Sequence, residues 1–255
     1  RSVESGICAS ARLGAKAVYA GCFFDDKRGQ FLRQDFIDHG VNVEASVVKK
    51  GKTFMNMVVA ERAYSTRTML GAPGDFGKID VDEVDWDYLR KSKILFIAML
   101  DDVAEKAIEI ARKNDIPVLI DADHPNQNLF DHIPVIDYFI GSEFVFDALF
   151  PGAKEKGLEN LEEEVESIRK QGPKTVVFTF GEKGCIGKGP EEEYFVLPAF
   201  HVDVVDTVGA GDVFHGAFAY AVTKGLSTKE CARYASGTSA IKCTRIGGRA
   251  GVPTE

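Results

Sequence analysis

The stretch Val204-Val205-Asp206-Thr207-Val208-Gly209-Ala210-Gly211-Asp212-Val213-Phe214-His215-Gly216-Ala217-Phe218 decides the fold. Its apolar start predicts a strand ending near Val205, and its small, aromatic-rich tail predicts a helix from Ala210 to Val222. Between them, Gly209 and Gly211 let the backbone come close to a ligand. A helix that opens so abruptly presents unpaired N–H groups and the positive end of its dipole at one spot. The turn therefore predicts a cradle for a phosphate or an oxyanion. It is not a GxGxxG dinucleotide turn, and it lacks the Lys-Ser/Thr pair of a Walker loop.

Asp212 stands inside that cradle, where a carboxylate repels an anion unless it has a task. Two readings are open on the residues alone. Asp212 either complements the helix dipole from the first turn, or accepts a proton from an attacking hydroxyl beside a bound phosphoryl group.

Outward from this stretch, strand and helix patterns alternate. Helices are expected over Ser2–Leu13 (closed by Gly14), around Phe31–Ile37 (ended by Gly40), and over Asp102–Asn114, Glu159–Lys170 and Ser227–Lys242. The last opens on Ser227-Thr228-Lys229-Glu230, a capping box. Strands are expected at Ala17–Ala20, Ile94–Leu100 (a central parallel strand), Ile116–Ile120, Tyr138–Ile140 and Lys174–Phe180. This alternation predicts an α/β fold, a largely parallel sheet with helices on both faces. The acidic run in Glu159–Lys170 is read as a solvated face. One segment breaks the pattern: Thr53–Val59 and Thr66–Leu70 predict a hairpin joined through Glu61–Tyr64, either an edge hairpin or a lid.

Composition limits the function classes. The 255 residues are 45% hydrophobic and 27% charged, which suits one large α/β domain with a small appendage. A net charge of −8 argues against binding nucleic acid. No apolar run approaches the roughly 18 residues of a membrane span. The five scattered cysteines form no CxxC pair, so neither zinc nor a disulfide framework is expected, and a cytoplasmic location is. Starting at Arg1 and stopping at Pro253-Thr254-Glu255, the chain is read as the greater part of a longer protein.

Asp206-Thr207-Val208-Gly209-Ala210-Gly211-Asp212 with Phe214–Phe218 resembles the C-terminal signature of the ribokinase-like (PfkB) carbohydrate kinases. Leu13-Gly14, the run Gly21–Gly29 and Gly40-Val41 resemble the family's N-terminal signature. Thr179-Phe180-Gly181-Glu182-Lys183-Gly184 resembles its phosphate-lining loop. These elements stand in the family's order over nearly the whole chain. The C-terminal part looks most like the sulfofructose kinase branch.

The resemblance implies a ribokinase-like fold: a core of residues 1–45 and 71–255, and a β-hairpin at 46–70 forming part of a lid. It implies an ATP-dependent sugar kinase using Mg2+. Asp212 would be the general base, and Gly209, Ala210 and Gly211 the N–H donors to the transferring phosphoryl group. Thr179, Gly181, Gly184 and Thr207 would border the nucleotide, and Asp206 with Thr207 lies where many members bind a stimulating monovalent cation, often K+. A homodimer through the lid is also implied.

The chain departs from the family in places. Where the family carries Asn-x-x-Glu, this sequence has Ser142-Glu143-Phe144-Val145, so Glu143 is the one candidate carboxylate there for the Mg2+ side or, equally, an N-terminal helix acid. Ser5 stands in place of a usual Asn, and the family's first strand lies before Arg1. Leu100-Asp101-Asp102 offers acids rather than a cation, which counts against a sulfonated sugar. Asp121-Ala122-Asp123-His124 ends a strand, where such sheets bind ligands. His124 and His215 are read as structural. Two alternatives stay open: a nucleoside or vitamin-type kinase of the same superfamily, and a non-catalytic nucleotide- or sugar-binding sensor.

Overall fold

The computed structural model describes residues 3–61, 66–75 and 77–254. In chain order its elements are α1 (Val3–Arg12), β1 (Cys22–Phe24), α2 (Lys27–Asp38), β2 (Val47–Lys49), β3 (Met55–Glu61), β4 (Thr66–Ala72), α3 (Trp86–Arg90), β5 (Leu95–Ile97), α4 (Asp102–Lys113) and β6 (Val118–Ala122). There follow α5 (Gln127–His132), β7 (Tyr138–Ser142), α6 (Glu143–Leu149), α7 (Glu162–Arg169), β8 (Thr175–Thr179), β9 (Cys185–Lys188), β10 (Phe195–Leu197), α8 (Ala210–Thr223) and α9 (Thr228–Cys243). The chain forms two compact units, Val18–Asp85 and the remainder.

The larger unit is built on a sheet of order β10-β9-β8-β7-β6-β5, parallel from β5 to β8 and antiparallel at β9 and β10. Its strands are apolar on both faces, and alternate residues pack into two separate cores. On β6, Val118, Ile120 and Ala122 join α4 to α7 through Ile108, Val145, Phe146, Val165 and Ile168. Leu119, with Ile140 of β7 and Val177 of β8, joins α8 and α9 through Phe214, Ala217, Phe218, Ala232 and Ala235. This period of two through a doubly covered sheet explains why these strands carry almost no polar residues.

Helix α1 crosses α8 at close range, because both present glycine at the contact. A Cβ on Gly216 would lie 1.9 Å from the Gly6 carbonyl oxygen, and the Ser10 hydroxyl donates to the Gly216 carbonyl at 2.7 Å. Helix α9 opens on the expected capping box, with Ser227 and Glu230 each bonding the other's backbone N–H.

In the smaller unit, β1 pairs with β2 in parallel, and β3 with β4 in the expected antiparallel hairpin, Met55 opposite Ala72 and Glu61 opposite Thr66. Of the expected link, Arg62–Tyr64 lies outside the described residues. The two acids of the Gly21–Gly29 run are structural here. Asp26 caps α2 through the Gly29 N–H and also accepts from the Thr53 hydroxyl, while Asp25 accepts from the Gly51 N–H at 3.2 Å. Gly29 is needed because a Cβ there would lie 2.0 Å from the Phe24 carbonyl oxygen.

Several expectations need correction. Ala17–Ala20 contributes one bridge, Val18 to Asn42; the strand lies at Cys22–Phe24, where buried Phe23 packs on Tyr19 and Phe36. The run Ile94–Leu100 yields only Leu95–Ile97, at the edge of the described sheet rather than its centre. Its apolar character reflects cover on both faces, which says nothing about lateral position. No strand ends at Val205; that segment is irregular and hangs on α9, the N–H groups of Val205 and Asp206 donating to the Cys243 carbonyl at 2.8 and 3.1 Å. In the charged helix, Glu164 is buried against Lys156 rather than solvated.

Candidate active site

The glycine-rich turn and the start of α8 lie against the carboxyl ends of β6 and β7. His215, one turn into α8, makes the connection: its Nε2 faces the Ile140 carbonyl at 3.2 Å and Asp121 Oδ1 at 3.3 Å. Asp121, Asp123, Ser142 and Thr179 all end neighbouring strands or follow them on this edge, and Ser142 is in register with Thr179. In open α/β sheets that edge is where ligands bind.

Gly209 opens α8 with φ at +77°, and its carbonyl accepts the first helical bond, from the Val213 N–H at 3.0 Å. Only glycine suits this position, since its backbone is left-handed and a Cβ would lie 3.1 Å from the Gly248 carbonyl. The Ala210 N–H, expected as an anion donor, is already used by the Thr207 carbonyl at 3.1 Å. The N–H groups of Gly211 and Asp212 are the first-turn donors without an intrahelical acceptor. Gly211 faces open space: a Cβ there would meet nothing within 4 Å.

Asp212 is half-buried at this helix start. Burial, followed by the neighbouring Asp121 charge, pushes its carboxyl up to about 7, against the pull of His215. A carboxylate so perturbed in a cleft has the proton affinity a base needs at neutral pH.

Asp206 behaves differently. Its carboxylate accepts from the Val208 and Gly247 N–H groups, each at 2.8 Å. Burial opposes its charge, but these bonds and the Lys242 ammonium hold it below the usual carboxylate range. Thr207 is exposed in the same turn.

On β8, the Thr179 hydroxyl points to the Gly141 carbonyl at 3.4 Å. Gly181 has φ at +56° and open space where a Cβ would stand. Gly184 is buried with φ at +92°, and a Cβ there would lie 2.0 Å from the Leu197 carbonyl oxygen, so close packing requires glycine at this position. Next to it, Leu197, Pro198, Ala199, Phe200, Arg233 and Ser236 line a mainly apolar cleft of about 140 Å³. A larger cavity of about 460 Å³, lined by Lys91, Lys93, Asn114 and Tyr138, opens at the opposite, amino-terminal end of the strands.

Glu143 starts α6, with its carboxylate 3.6 Å from Lys154 Nζ, itself 2.6 Å from Asp147. It is a paired acid at a helix start. Among the described residues no group of three or more His, Cys, Asp or Glu side chains is gathered to hold a metal.

Two residues near the turn were not assigned to the site from sequence. His215, expected to be structural, is buried against Asp121 and the Ile140 carbonyl, and its charge acts on Asp212. Lys242 was read as the end of a helix, yet it is fully buried and donates to the Asp206 carbonyl at 2.8 Å. Its only sequence signal is its place one residue before Cys243, whose carbonyl holds the same turn.

The chain matches the model of the pfkB family carbohydrate kinases over residues 7–255. An uncharacterized sugar kinase of Archaeoglobus fulgidus is 25% identical over 252 residues, 95% of this chain and 97% of that protein. Ribokinase of Haemophilus influenzae is 26% identical over 254 residues, 96% of this chain and 81% of that protein. The structure of Arabidopsis thaliana ribokinase complexed with ribose and ATP superposes with a TM-score of 0.82 at 22% identity, over 99% of this chain and 84% of that one. The ribokinase-like α/β fold expected from the sequence is thus the fold observed.

Proposed function

The chain belongs to the pfkB family of carbohydrate kinases, and on that premise we propose that it transfers the γ-phosphoryl group of ATP to a hydroxyl of a sugar, with Asp212 as general base. The observation that carries this reading is Asp212 itself, a carboxylate raised to about 7 in the first turn of α8, beside the open space at Gly211.

In this reading Asp212 takes the proton of the sugar hydroxyl as its oxygen bonds to the γ-phosphorus. The bond from that phosphorus to the bridging oxygen breaks, and ADP leaves. The N–H groups of Gly211 and Asp212, with the α8 dipole, stabilise charge on the transferring group. Gly209 shapes the turn, and Ala210 contributes through the backbone rather than a free donor. Thr179 and Gly181 border the triphosphate, with Thr207 across the turn. The cleft of Leu197–Phe200, Arg233 and Ser236 suits a flat apolar base in size and lining.

Open space at Gly181 and Gly211 fits a polyphosphate, and with it the Mg2+ that ATP carries. When bound, Mg2+ supplies charge neutralisation on the phosphate oxygens, with ligands largely from phosphate and water. Asp123 is the carboxylate on this edge for that shell; Glu143 is a weaker candidate because Lys154 already pairs with it.

The named relatives above are sugar kinases, which favours a sugar over a nucleoside acceptor. The 46–70 hairpin is kept as the lid in this reading. Exposed Met55, Met57, Val59 and Leu70 on one face of it support contact with a second copy of the chain. An isolated two-stranded hairpin is marginal in water, which adds to that argument. Five free thiols support a cytoplasmic location. No helix among the described residues is long and apolar enough to cross a membrane. The K+ expected at Asp206 and Thr207 is not part of the reading, because Lys242 already donates to that turn.

The test is ADP release with Mg-ATP across ketoses, aldoses, sugar phosphates, sulfofructose and nucleosides. Release that requires a sugar supports the reading. Release with nucleosides alone would replace the acceptor class, and none with any acceptor, from a protein that binds ATP, would favour a non-catalytic sensor.

A further inference from the structure

Lys242 stands in the last turn of α9 with its side chain fully buried. A buried ammonium is retained only where good hydrogen bonds and opposite charge offset its lost hydration. The structure supplies both. Nζ donates to the Asp206 carbonyl at 2.8 Å, with the Asp206 carboxyl group on the same residue. The loop beyond α9 packs on the Lys242 backbone: a Cβ on Gly251 would lie 2.3 Å from the Lys242 carbonyl oxygen. The turn that enters the anion cradle is therefore fixed to α9 by the Val205 and Asp206 N–H groups on the Cys243 carbonyl and by Lys242 on the Asp206 carbonyl, and to the loop after α9 by the Gly247 N–H on the Asp206 carboxylate.

The family resemblance puts a monovalent cation at this turn, and the residues present do not fit one. A cation there needs oxygen ligands from Asp206. Its carbonyl already holds an ammonium, and its carboxylate already accepts two N–H groups. A second unit charge beside a buried ammonium is repelled strongly, because little water screens the pair. We propose that the Lys242 ammonium is the built-in cation of this turn, taking the place of potassium, and that the protein binds no monovalent metal there. The fixed charge also lies close enough to Asp206 and Asp212 for burial's downward pull on the ammonium to be partly offset by both. It thereby contributes positive charge behind the cradle that belongs to the chain itself.

The inference concerns the turn rather than the acceptor, and its readouts need no turnover, so it stands or fails apart from the kinase reading. Crystals of the full chain and of Lys242→Ala are soaked in thallous acetate, and anomalous density is mapped. The wild type should show no thallium peak at coordination distance from the Asp206 carbonyl, and Lys242→Ala should show one. In solution, exchanging choline chloride for potassium chloride at equal ionic strength should leave the wild-type Tm unchanged and raise that of Lys242→Ala by several degrees. A thallium peak at Asp206 in the wild type, or a saturable rise of its Tm with potassium, overturns the proposal. So does a folded Lys242→Ala that responds to potassium no more than the wild type. The wild-type measurements decide the matter even where the variant does not fold.

Discussion

His215 joins Asp121 to the first turn of α8 in one buried contact: Nε2 lies 3.3 Å from Asp121 Oδ1, and Nδ1 lies 2.7 Å from the Gly211 carbonyl. With the Ile140 carbonyl also facing Nε2 at 3.2 Å, both ring nitrogens meet acceptors only. A ring that donates from both nitrogens is an imidazolium, the form that suits this set of acceptors. Burial alone would disfavour that charge, but Asp121, the two carbonyls and Asp212 outweigh it and raise the histidine above its ordinary value. The cation thus faces the otherwise costly Asp121 charge and also acts on the proposed base.

Replacing His215 by Leu should remove the imidazole that faces buried Asp121. The expected loss is about 3–5 kcal/mol in urea unfolding. The sign with pH follows from the raised histidine. The pair's contribution is complete below the ordinary imidazole range, and it falls away as pH rises through the raised value. A loss below about 1 kcal/mol, the scale of an exposed pair, contradicts the buried ion pair.

Asp212 should set the acid limb of the activity profile. Its carboxyl is raised to about 7, chiefly by burial and then by Asp121, so the base is protonated below that pH. The profile of kcat/KM against pH should therefore rise with an apparent pKa about 7 rather than in the usual carboxylate range. Stability runs the other way. A carboxyl raised on folding stabilises the protein while protonated, and that contribution is lost as pH climbs from the usual carboxylate range through about 7. The Tm of Asp212→Asn should accordingly exceed that of the wild type at pH 8, and the difference should shrink toward pH 4. A gap of equal size at both pH values would contradict the assigned shift.

Gly211 and Gly216 lie on one helix and should respond oppositely to a methyl group. At Gly211 the added Cβ meets nothing, and alanine is the better helix former by about 1 kcal/mol, so Gly211→Ala should keep or raise Tm. The same methyl occupies the cradle, so Mg-ATP affinity in calorimetry should fall. At Gly216 the Cβ would stand 1.9 Å from the Gly6 carbonyl oxygen, and Gly216→Ala should cost about 1–3 kcal/mol. Unchanged nucleotide affinity in Gly211→Ala would remove Gly211 from the proposed phosphate site.

Much of this arrangement was legible before the structure. The turn at Gly209–Asp212, the helix after it, the capping box at Ser227–Glu230 and the presence of the hairpin all follow from local patterns, because local backbone chemistry determines them. What escaped depends on distant segments. An apolar run such as Ile94–Leu100 reports cover on two faces, not which neighbours flank it, so β5 was expected at the centre and lies at the edge of the described sheet. Lys242 in a helix's last turn looks like a solvated end; its burial and its bond to the Asp206 carbonyl depend on a segment 36 residues away in sequence. The Ala210 N–H is taken by the Thr207 carbonyl, a turn bond that the glycine pattern does not signal. Strands β9 and β10 are four and three residues long, with Gly187 inside the first, and so carry no readable period.

The general-base assignment is tested most directly by Asp212→Asn, measured on whichever sugar supports ADP release in the wild type. Nucleotide binding is followed by calorimetry and turnover by ADP release on the same preparation. The account predicts Mg-ATP affinity within a few-fold of the wild type and kcat lower by about 10²–10⁴-fold. Turnover near the wild-type value, with affinity retained, would contradict it and remove Asp212 from the reaction.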